Sequence, residues 1–158
     1  MTEPELDAWS GLRPIPKGSL YHRGNGVLAE DNVRSKPHKE ALILQLNQAV
    51  SRHPRRREFP LACPVEVTLH FYFVPPRGAA PVDRPSKIST GDIDKLSRLV
   101  LDALTQAKVI VDDALVVGLL ATSWHADRAG TRIHVGPARG NDGARLPGPW
   151  PASETMTP

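Results

Sequence analysis

Apolar residues occupy every second position between residues 65 and 73, and two prolines follow at 75 and 76. Successive side chains of a strand point to opposite faces, and proline cannot continue strand pairing. The alternation therefore predicts a β-strand with one apolar face that ends before the prolines. That face consists of Val65, Val67, Leu69, Phe71 and Phe73.

Two other segments repeat apolar residues every three to four positions, which is typical of an amphipathic α-helix. The first covers residues 35–52, with Ser35 as a candidate N-cap and Pro37 in the first turn, where proline is tolerated. The second begins near Asp92. The apolar stripes are formed by Leu42, Leu46, Ala49 and Val50 in the first helix and by Ile93, Leu96, Val100, Ala103 and Leu104 in the second.

Weaker patterns complete the predicted fold. Asn25–Gly26 lies between two short segments and is the usual sequence of a tight type I′ hairpin. Residues 115–126 and 131–138 predict two strands, joined through the sequence DRAG as a second hairpin. Together these elements predict one α+β domain at residues 1–138, with a mixed sheet and two main helices. Residues 139–158 have turn residues and little to bury, which predicts a disordered tail.

Composition then limits the function classes. The chain has 158 residues, enough for one domain with a core. Its single cysteine, Cys63, excludes an internal disulfide and no CxxC pair indicates zinc, so we expect a reducing, cytoplasmic compartment. The first residues predict no signal peptide, and no apolar run is long enough to cross a membrane. A net charge of +3 favours a polyanionic partner, although many basic proteins bind no nucleic acid.

Acidic residues cluster at both ends of the second predicted helix. Asp92 and Asp94 stand at its start, and the adjacent pair Asp112 and Asp113 follows it. Residues two apart in a helix point about 200° from each other, so Asp92 and Asp94 can converge only if Asp92 lies at or before the helix start. Two interpretations stay open. The acids either cap the helix and the next turn and pair with nearby cations, or they form an all-oxygen site for a hard cation.

The whole stretch at residues 91–117, GDIDKLSRLVLDALTQAKVIVDDALVV, resembles the core of the RusA-like Holliday junction resolvases. That family has a DxDNL segment, a lysine shortly after it, a DAL helix, and a DD pair followed by apolar residues. Here DIDKL, LDALTQA and VDDALVV match in order and in spacing. The segment PIPKGS at residues 14–19 is similar to the entry of phage-type members, and the order of predicted elements fits the family fold.

The resemblance implies roles for individual residues. Asp92, Asp94 and Asp113 match the catalytic, metal-binding carboxylates of the family. Two positions depart from its pattern, because Lys95 stands where the family has asparagine and the catalytic-site lysine falls on Arg98. Arginine keeps the positive charge and binds phosphate through two donors, but it does not give up a proton. Arg98 therefore suffices if the family's lysine only clamps phosphate, and activity is reduced if that lysine acts as an acid.

The resemblance also implies an activity. We expect a homodimeric endodeoxyribonuclease, dependent on Mg²⁺ with Mn²⁺ as an alternative, that binds four-way DNA junctions and cuts two opposed strands symmetrically. Each subunit would supply one site with the three matched carboxylates, during DNA recombination and repair in a bacterial or phage-infected cell. The cations expected to contact DNA are Lys95, Arg98 and, in the long loop before the acids, Arg77, Arg84 and Lys87.

Two other function classes fit the same residues. A catalytically weakened protein of the same fold would bind branched DNA without cutting it, and the departures at Lys95 and Arg98 would be its signature. A protein–protein adaptor would use the acids only as caps and ion-pair partners. Binding to a junction without metal-dependent cleavage indicates the first class, and the absence of any preference for branched DNA indicates the second.

Overall fold

The computed structural model describes residues 4–18, 20–22, 24–25, 28–30, 33–78, 85 and 90–139. The helices and strands are, in chain order, β1 (Leu6–Ser10), β2 (Leu20–His22), β3 (Leu28–Glu30), α1 (Ser35–Arg52), β4 (Val65–Phe73), α2 (Ile93–Gln106), β5 (Val116–His125) and β6 (Gly130–Pro137). Short 3₁₀ turns at Arg56–Glu58 and Asp113–Leu115 follow the two helices. None of these helices is long and apolar enough to cross a membrane.

Four strands form one mixed sheet in the order β1–β6–β4–β5, and β2 and β3 form a separate antiparallel pair. β4 runs parallel to β5 and antiparallel to β6, which in turn is antiparallel to β1. Parallel neighbours need a crossover connection, and α2 lies in the connection between β4 and β5. The α+β class predicted from the sequence, a single small domain with a mixed sheet and two helices, is confirmed.

The core lies between the helices and one face of β4. The five apolar side chains of that strand are at most 3% exposed, as their alternation predicts. Leu42 and Leu46 of α1 and Leu96 and Leu104 of α2 pack into the same cluster. At about 25 cal/mol for each Å² of apolar surface removed from water, this burial is the main stabilising contribution to the fold. The predicted helical stripes are therefore the faces that α1 and α2 turn to the sheet, except for Ile93, which is 42% exposed at the start of α2.

The start of α1 differs in one detail from the prediction. Arg34, not Ser35, occupies the N-cap position, with helical backbone angles and no capping hydrogen bond from its side chain. Because the chain is already helical at Arg34, Ser35 comes one residue too late to act as the cap. Ser35 is instead a buried residue of the first turn.

The predicted hairpin between the last two strands is wrong. β5 and β6 do not pair with each other, because β4 lies between them. The connection at residues 126–129 crosses the end of β4, where the Ala126 amide donates to the Phe73 carbonyl at 3.0 Å. Such a crossing spans two strand spacings, about 10 Å, which four residues reach easily. With β4 in the centre of the sheet, the backbone groups of this buried strand form hydrogen bonds with a neighbouring strand on each side.

One strand was missed and another prediction is borne out in part. β1 carries Leu6 into the core, but its five residues, LDAWS, are too short for a clear periodic signal. The pairing of β2 with β3 confirms a hairpin here, but His22 lies opposite Leu28, which centres the loop on Asn25 and is not the register of a tight two-residue Asn25–Gly26 turn. Gly26 itself, and the tail predicted from residue 139, lie outside the described residues except for Arg139.

Candidate active site

The first turn of α2 presents the two leading acids to solvent. Asp92 is the N-cap residue, with extended backbone angles (φ −74°, ψ 138°), and Asp94 is in the first turn. The side chain of Asp92 makes no capping hydrogen bond. Its carboxylate is thus not used to satisfy the helix end, while the positive end of the helix dipole favours both negative charges. The requirement that Asp92 precede the helix, which the two acids need in order to converge, is met.

Two cations stand beside these acids in loose ion pairs. The Lys95 ammonium is 3.8 Å from the Asp92 carboxylate, and the Arg98 guanidinium is 3.8 Å from the Asp94 carboxylate. Asp92 and Asp94 are 71% and 59% exposed at their side chains, and surface pairs of this kind contribute little to stability. Another cation or an anionic ligand can therefore replace either partner at low cost.

The second acidic pair is divided into two roles by the turn before β5. The Asp112 carboxylate accepts a hydrogen bond from the Ala114 amide at 2.8 Å and caps the 3₁₀ turn. Asp113 is the exposed first residue of that turn. Capping thus explains why an acid is present at position 112. Asp113 is the member of the pair that is available for chemistry.

Along the chain, α2 lies between the two acidic groups. From Asp94 to Gln106 the helix rises about 18 Å, at 1.5 Å per residue, and Asp113 follows seven residues later. Among the residues described here, no three His, Cys, Asp or Glu side chains are grouped closely enough to hold a metal ion. The carboxylates expected at one site therefore lie on α2 and on the turn before β5 as two groups.

The remaining predicted DNA contacts are only partly described. Arg77 is an exposed residue shortly after β4. Arg84 and Lys87 lie outside the described residues. Lys95 is partly exposed on α2, and Arg98 is exposed one turn further along. The described cations thus extend from the end of β4 and along the first turns of α2.

A further cation, Lys17, was not among the predicted site residues. Its ammonium is 2.6 Å from the Asp102 carboxylate on α2, and its backbone amide donates to the Lys95 carbonyl at 3.1 Å. The two members of the ion pair are 85 positions apart in the chain, so local sequence spacing cannot predict the pair. The only available signal was the likeness of PIPKGS to the family entry segment.

Exposed carboxylates with cations beside them are the side-chain types that metal-dependent enzymes use on phosphodiesters. A family model described as endodeoxyribonuclease RusA matches residues 13–136. The match covers more than half of the chain, and the chain belongs to this family. A search of curated proteins finds no match.

Membership confirms the resemblance drawn from residues 91–117 and extends it across the fold. The protein is an endodeoxyribonuclease of the type that acts on Holliday junctions, and its DNA partner is a branched one. Nucleases of this family generally depend on a divalent metal.

Proposed function

We propose that this protein resolves four-way DNA junctions by paired symmetric nicks, with Asp92, Asp94 and Asp113 as its catalytic carboxylates. The observation that supports this most is that these three acids are exposed and that none is hydrogen-bonded as a cap, whereas the neighbouring Asp112 is. Asp92 and Asp94 do pair with Lys95 and Arg98, but both contacts are 3.8 Å long and exposed, so neither carboxylate is committed to its partner. The proposed setting is DNA recombination or repair in the cytoplasm of a bacterial or phage-infected cell.

The donor set fits a divalent metal. Carboxylate oxygens are the ligands that Mg²⁺ prefers, and Mg²⁺ usually takes few protein ligands together with waters and phosphate oxygens. We propose that Asp92, Asp94 and Asp113 hold Mg²⁺, or Mn²⁺ in its place. When bound, the metal supplies charge neutralisation at the scissile phosphate. The loose ion pairs to Lys95 and Arg98 leave the first two carboxylates free to exchange a cation partner for the metal.

The cations have a separate task in this proposal. With its carboxylate held by a metal, Asp94 would release Arg98 from their loose pair, and the Arg98 guanidinium would be available to a phosphate oxygen. Lys95 provides a second positive charge on the same helix, and Arg77, Arg84 and Lys87 would hold the DNA backbone outside the cut. Contacts of this kind fix the register of the DNA and contain no base readout, which suits recognition of junction shape.

We also propose a homodimer in which each site is shared between subunits. β5 is an edge strand of ten residues, and its Val117 and Leu119 side chains are 64% and 47% exposed. An open edge with exposed apolar side chains is normally covered, and here it begins at Val116, three residues after Asp113. A two-fold partner seated on β5 would approach the Asp113 turn, so that Asp113 of one subunit can join Asp92 and Asp94 of the other.

A junction-cleavage assay tests the proposed function. A labelled synthetic four-way junction is incubated with wild-type protein, Asp94→Asn and Asp7→Asn, with and without Mg²⁺. We expect paired nicks from wild type and from Asp7→Asn only with Mg²⁺, and none from Asp94→Asn. Asp7 is a matched control, because it is also a partly exposed acid in an ion pair but lies on β1.

Junction binding by wild type without cleavage at any Mg²⁺ or Mn²⁺ concentration would contradict the proposal and favour the weakened DNA-binding protein. No preference for a junction over a linear duplex would favour the adaptor.

A further inference from the structure

The segment that leads from β1 toward β2 crosses α2 beside the proposed active site. We call residues 14–18 the entry segment. Its Lys17 amide donates to the carbonyl of Lys95, in the first turn of α2, at 3.1 Å. The side chain of Lys17 then continues along the helix to Asp102, with 2.6 Å between ammonium and carboxylate. Positions 95 and 102 are two turns apart on one face of the helix. Lys17 therefore contacts both turns, one through its backbone amide and the other through its side chain.

A third contact ties the entry segment to the residue just before Asp92. Gly91 has a positive φ of 85°, and a Cβ added there would lie 2.7 Å from the ring of Pro16. Only glycine combines this backbone angle with so close an approach. The neighbouring Pro14 is buried and fixes the segment to the body of the protein. The entry segment therefore touches α2 before its N-cap, within its first turn and two turns further on.

We propose that Lys17 is a positioning residue of the nuclease site: with Asp102 it clasps the entry segment to α2 and so holds the stretch that carries Asp92 and Asp94. The inference rests on the proposed roles of these two acids. Lys17 does not touch the metal or the DNA in this account. It acts through the helix start that its backbone and side chain hold in place.

The geometry of the clasp differs from that of the other ion pairs on the helix. Lys17 and Asp102 are 35% and 26% exposed at their side chains and share a short contact, whereas the pairs of Lys95 and Arg98 stretch to 3.8 Å. A less exposed, shorter pair is screened less by solvent and by salt. Lys17 is therefore held by Asp102, while the cations of the looser pairs are available to phosphate.

Such a clasp is useful because a helix start is weakly held by its own hydrogen bonds. The first amides of a helix have no partner within it, so Asp92 and Asp94 lie where the chain frays most readily. Misplacement of reacting groups by about 1 Å can lower a rate by about a hundredfold. Contacts on both sides of the first turn restrict that motion without occupying the carboxylates.

The test compares Lys17→Met, Asp102→Asn, the double variant and Lys17→Arg with wild type. We expect Lys17→Met and Asp102→Asn each to lower the single-turnover cleavage rate by about tenfold or more. The double variant should be no slower than either, because each single variant already removes the same ion pair. Junction affinity should stay within about twofold, since a lost positioning contact is not a lost phosphate contact. The Mg²⁺ concentration for half-maximal cleavage should rise, and Lys17→Arg should restore most of the rate.

Asp7→Asn is the matched control, because it removes the ion pair to Arg132 on the sheet and leaves α2 untouched. It should leave the rate, the affinity and the Mg²⁺ dependence as in wild type. If Lys17→Met does not fold, Asp102→Asn tests the same pair from its other side.

Amide hydrogen exchange separates this inference from the proposed function. The Leu96 amide, which donates to the Asp92 carbonyl at 3.0 Å, should exchange faster in Lys17→Met and in Asp102→Asn than in wild type, with or without DNA. Unchanged exchange at Leu96, together with an unchanged cleavage rate, would overturn the clasp. A loss of junction affinity as large as the loss of rate would overturn it as well, because Lys17 would then be a DNA contact. Wild-type protein that does not cleave contradicts the proposed function instead, and the exchange result still decides the clasp.

Discussion

Arg98 stands where the resemblance to the family places the catalytic-site lysine. It lies four positions after Asp94, and the pair that helical spacing predicts is present at 3.8 Å. Because the guanidinium is 70% exposed, it is accessible to a phosphate once Asp94 has a metal partner. We propose that Arg98 clamps phosphate, because a guanidinium binds phosphate oxygens through two donors.

Replacement of Arg98 separates these roles. Arg98→Ala should lower the cleavage rate by tens- to several hundredfold, since a lost phosphate clamp in the transition state costs roughly 2–4 kcal/mol. Arg98→Lys should retain junction binding and most of the rate, because the charge survives. Single-turnover cleavage and a junction gel shift measure the two effects. Full activity in Arg98→Ala would mean that Arg98 is only a structural partner of Asp94.

At this scale, local spacing predicted what lies close in sequence and missed what does not. The N-cap position of Asp92 and the pair of Asp94 with Arg98 both follow from helix geometry and are confirmed. Spacing could not predict that Asp112 caps the turn while Asp113 does not, because this depends on the backbone conformation of the turn. The contact between Lys17 and Asp102 depends on the path of residues 14–18 across α2. The hydrophobic periodicity of the sequence gives no information about that path.

Among the elements, β4 determines most of the architecture. Its strict alternation was sufficient to predict the strand, but its second face is also covered, and His70 there is 6% exposed. The Trp124 indole donates to the Thr122 hydroxyl at 2.7 Å, and that hydroxyl bonds His70 Nδ1. Burial lowers the pKa of His70, and the neighbouring Arg132 lowers it further, while Asp7 acts in the opposite direction.

This burial predicts how stability depends on pH. His70 stays neutral in the folded protein at a pH where the unfolded chain already binds a proton, so the free energy of unfolding should fall as pH drops below the ordinary value of 6.5. The loss ends at the lowered pKa of the folded state. His70→Gln should show a smaller difference in unfolding free energy between pH 7.5 and pH 5.5 in urea titrations.

His38, whose pKa is also lowered by burial, contributes a second share of this pH dependence. His38→Gln therefore serves as the comparison, and it should remove part of the dependence independently of His70. An undiminished pH dependence in His70→Gln would show that His70 is not the group responsible.

The order of strands was the part of the fold that the sequence predicted wrongly. The predicted connection DRAG, at residues 127–130, fits a hairpin as well as it fits a crossing over one strand end. What decides between them is that β4 needs partners on both sides, which is a property of the whole sheet. The crossing is held on the far side by Arg128, whose guanidinium lies 5.4 Å from the Trp9 ring centre. Neither Trp9 nor its strand β1 gave a periodic signal that could have revealed this arrangement.

For the whole molecule, the proposed homodimer places two subunits in contact through β5. Leu119→Lys should give a folded monomer without junction cleavage, because the side chain is exposed in one chain and would place a charge in the proposed interface. Light scattering and circular dichroism measure assembly and fold. Leu44→Lys is the matched control, since Leu44 is 60% exposed on α1, and it should remain dimeric and active. A wild-type protein that stays monomeric with junction bound would contradict the paired-nick mechanism.

The most direct measurement combines two inactive variants in one dimer. Asp94→Asn and Asp113→Asn are co-expressed with different tags, and the mixed dimer is purified and incubated with a labelled four-way junction and Mg²⁺. If each site joins Asp92 and Asp94 of one subunit to Asp113 of the other, the mixed dimer contains one intact site and should nick one strand, while each variant alone cuts nothing. A mixed dimer as inactive as its parents, beside a wild-type dimer that cuts both strands, would contradict the shared site. Cleavage by either variant alone would remove that acid from the chemistry.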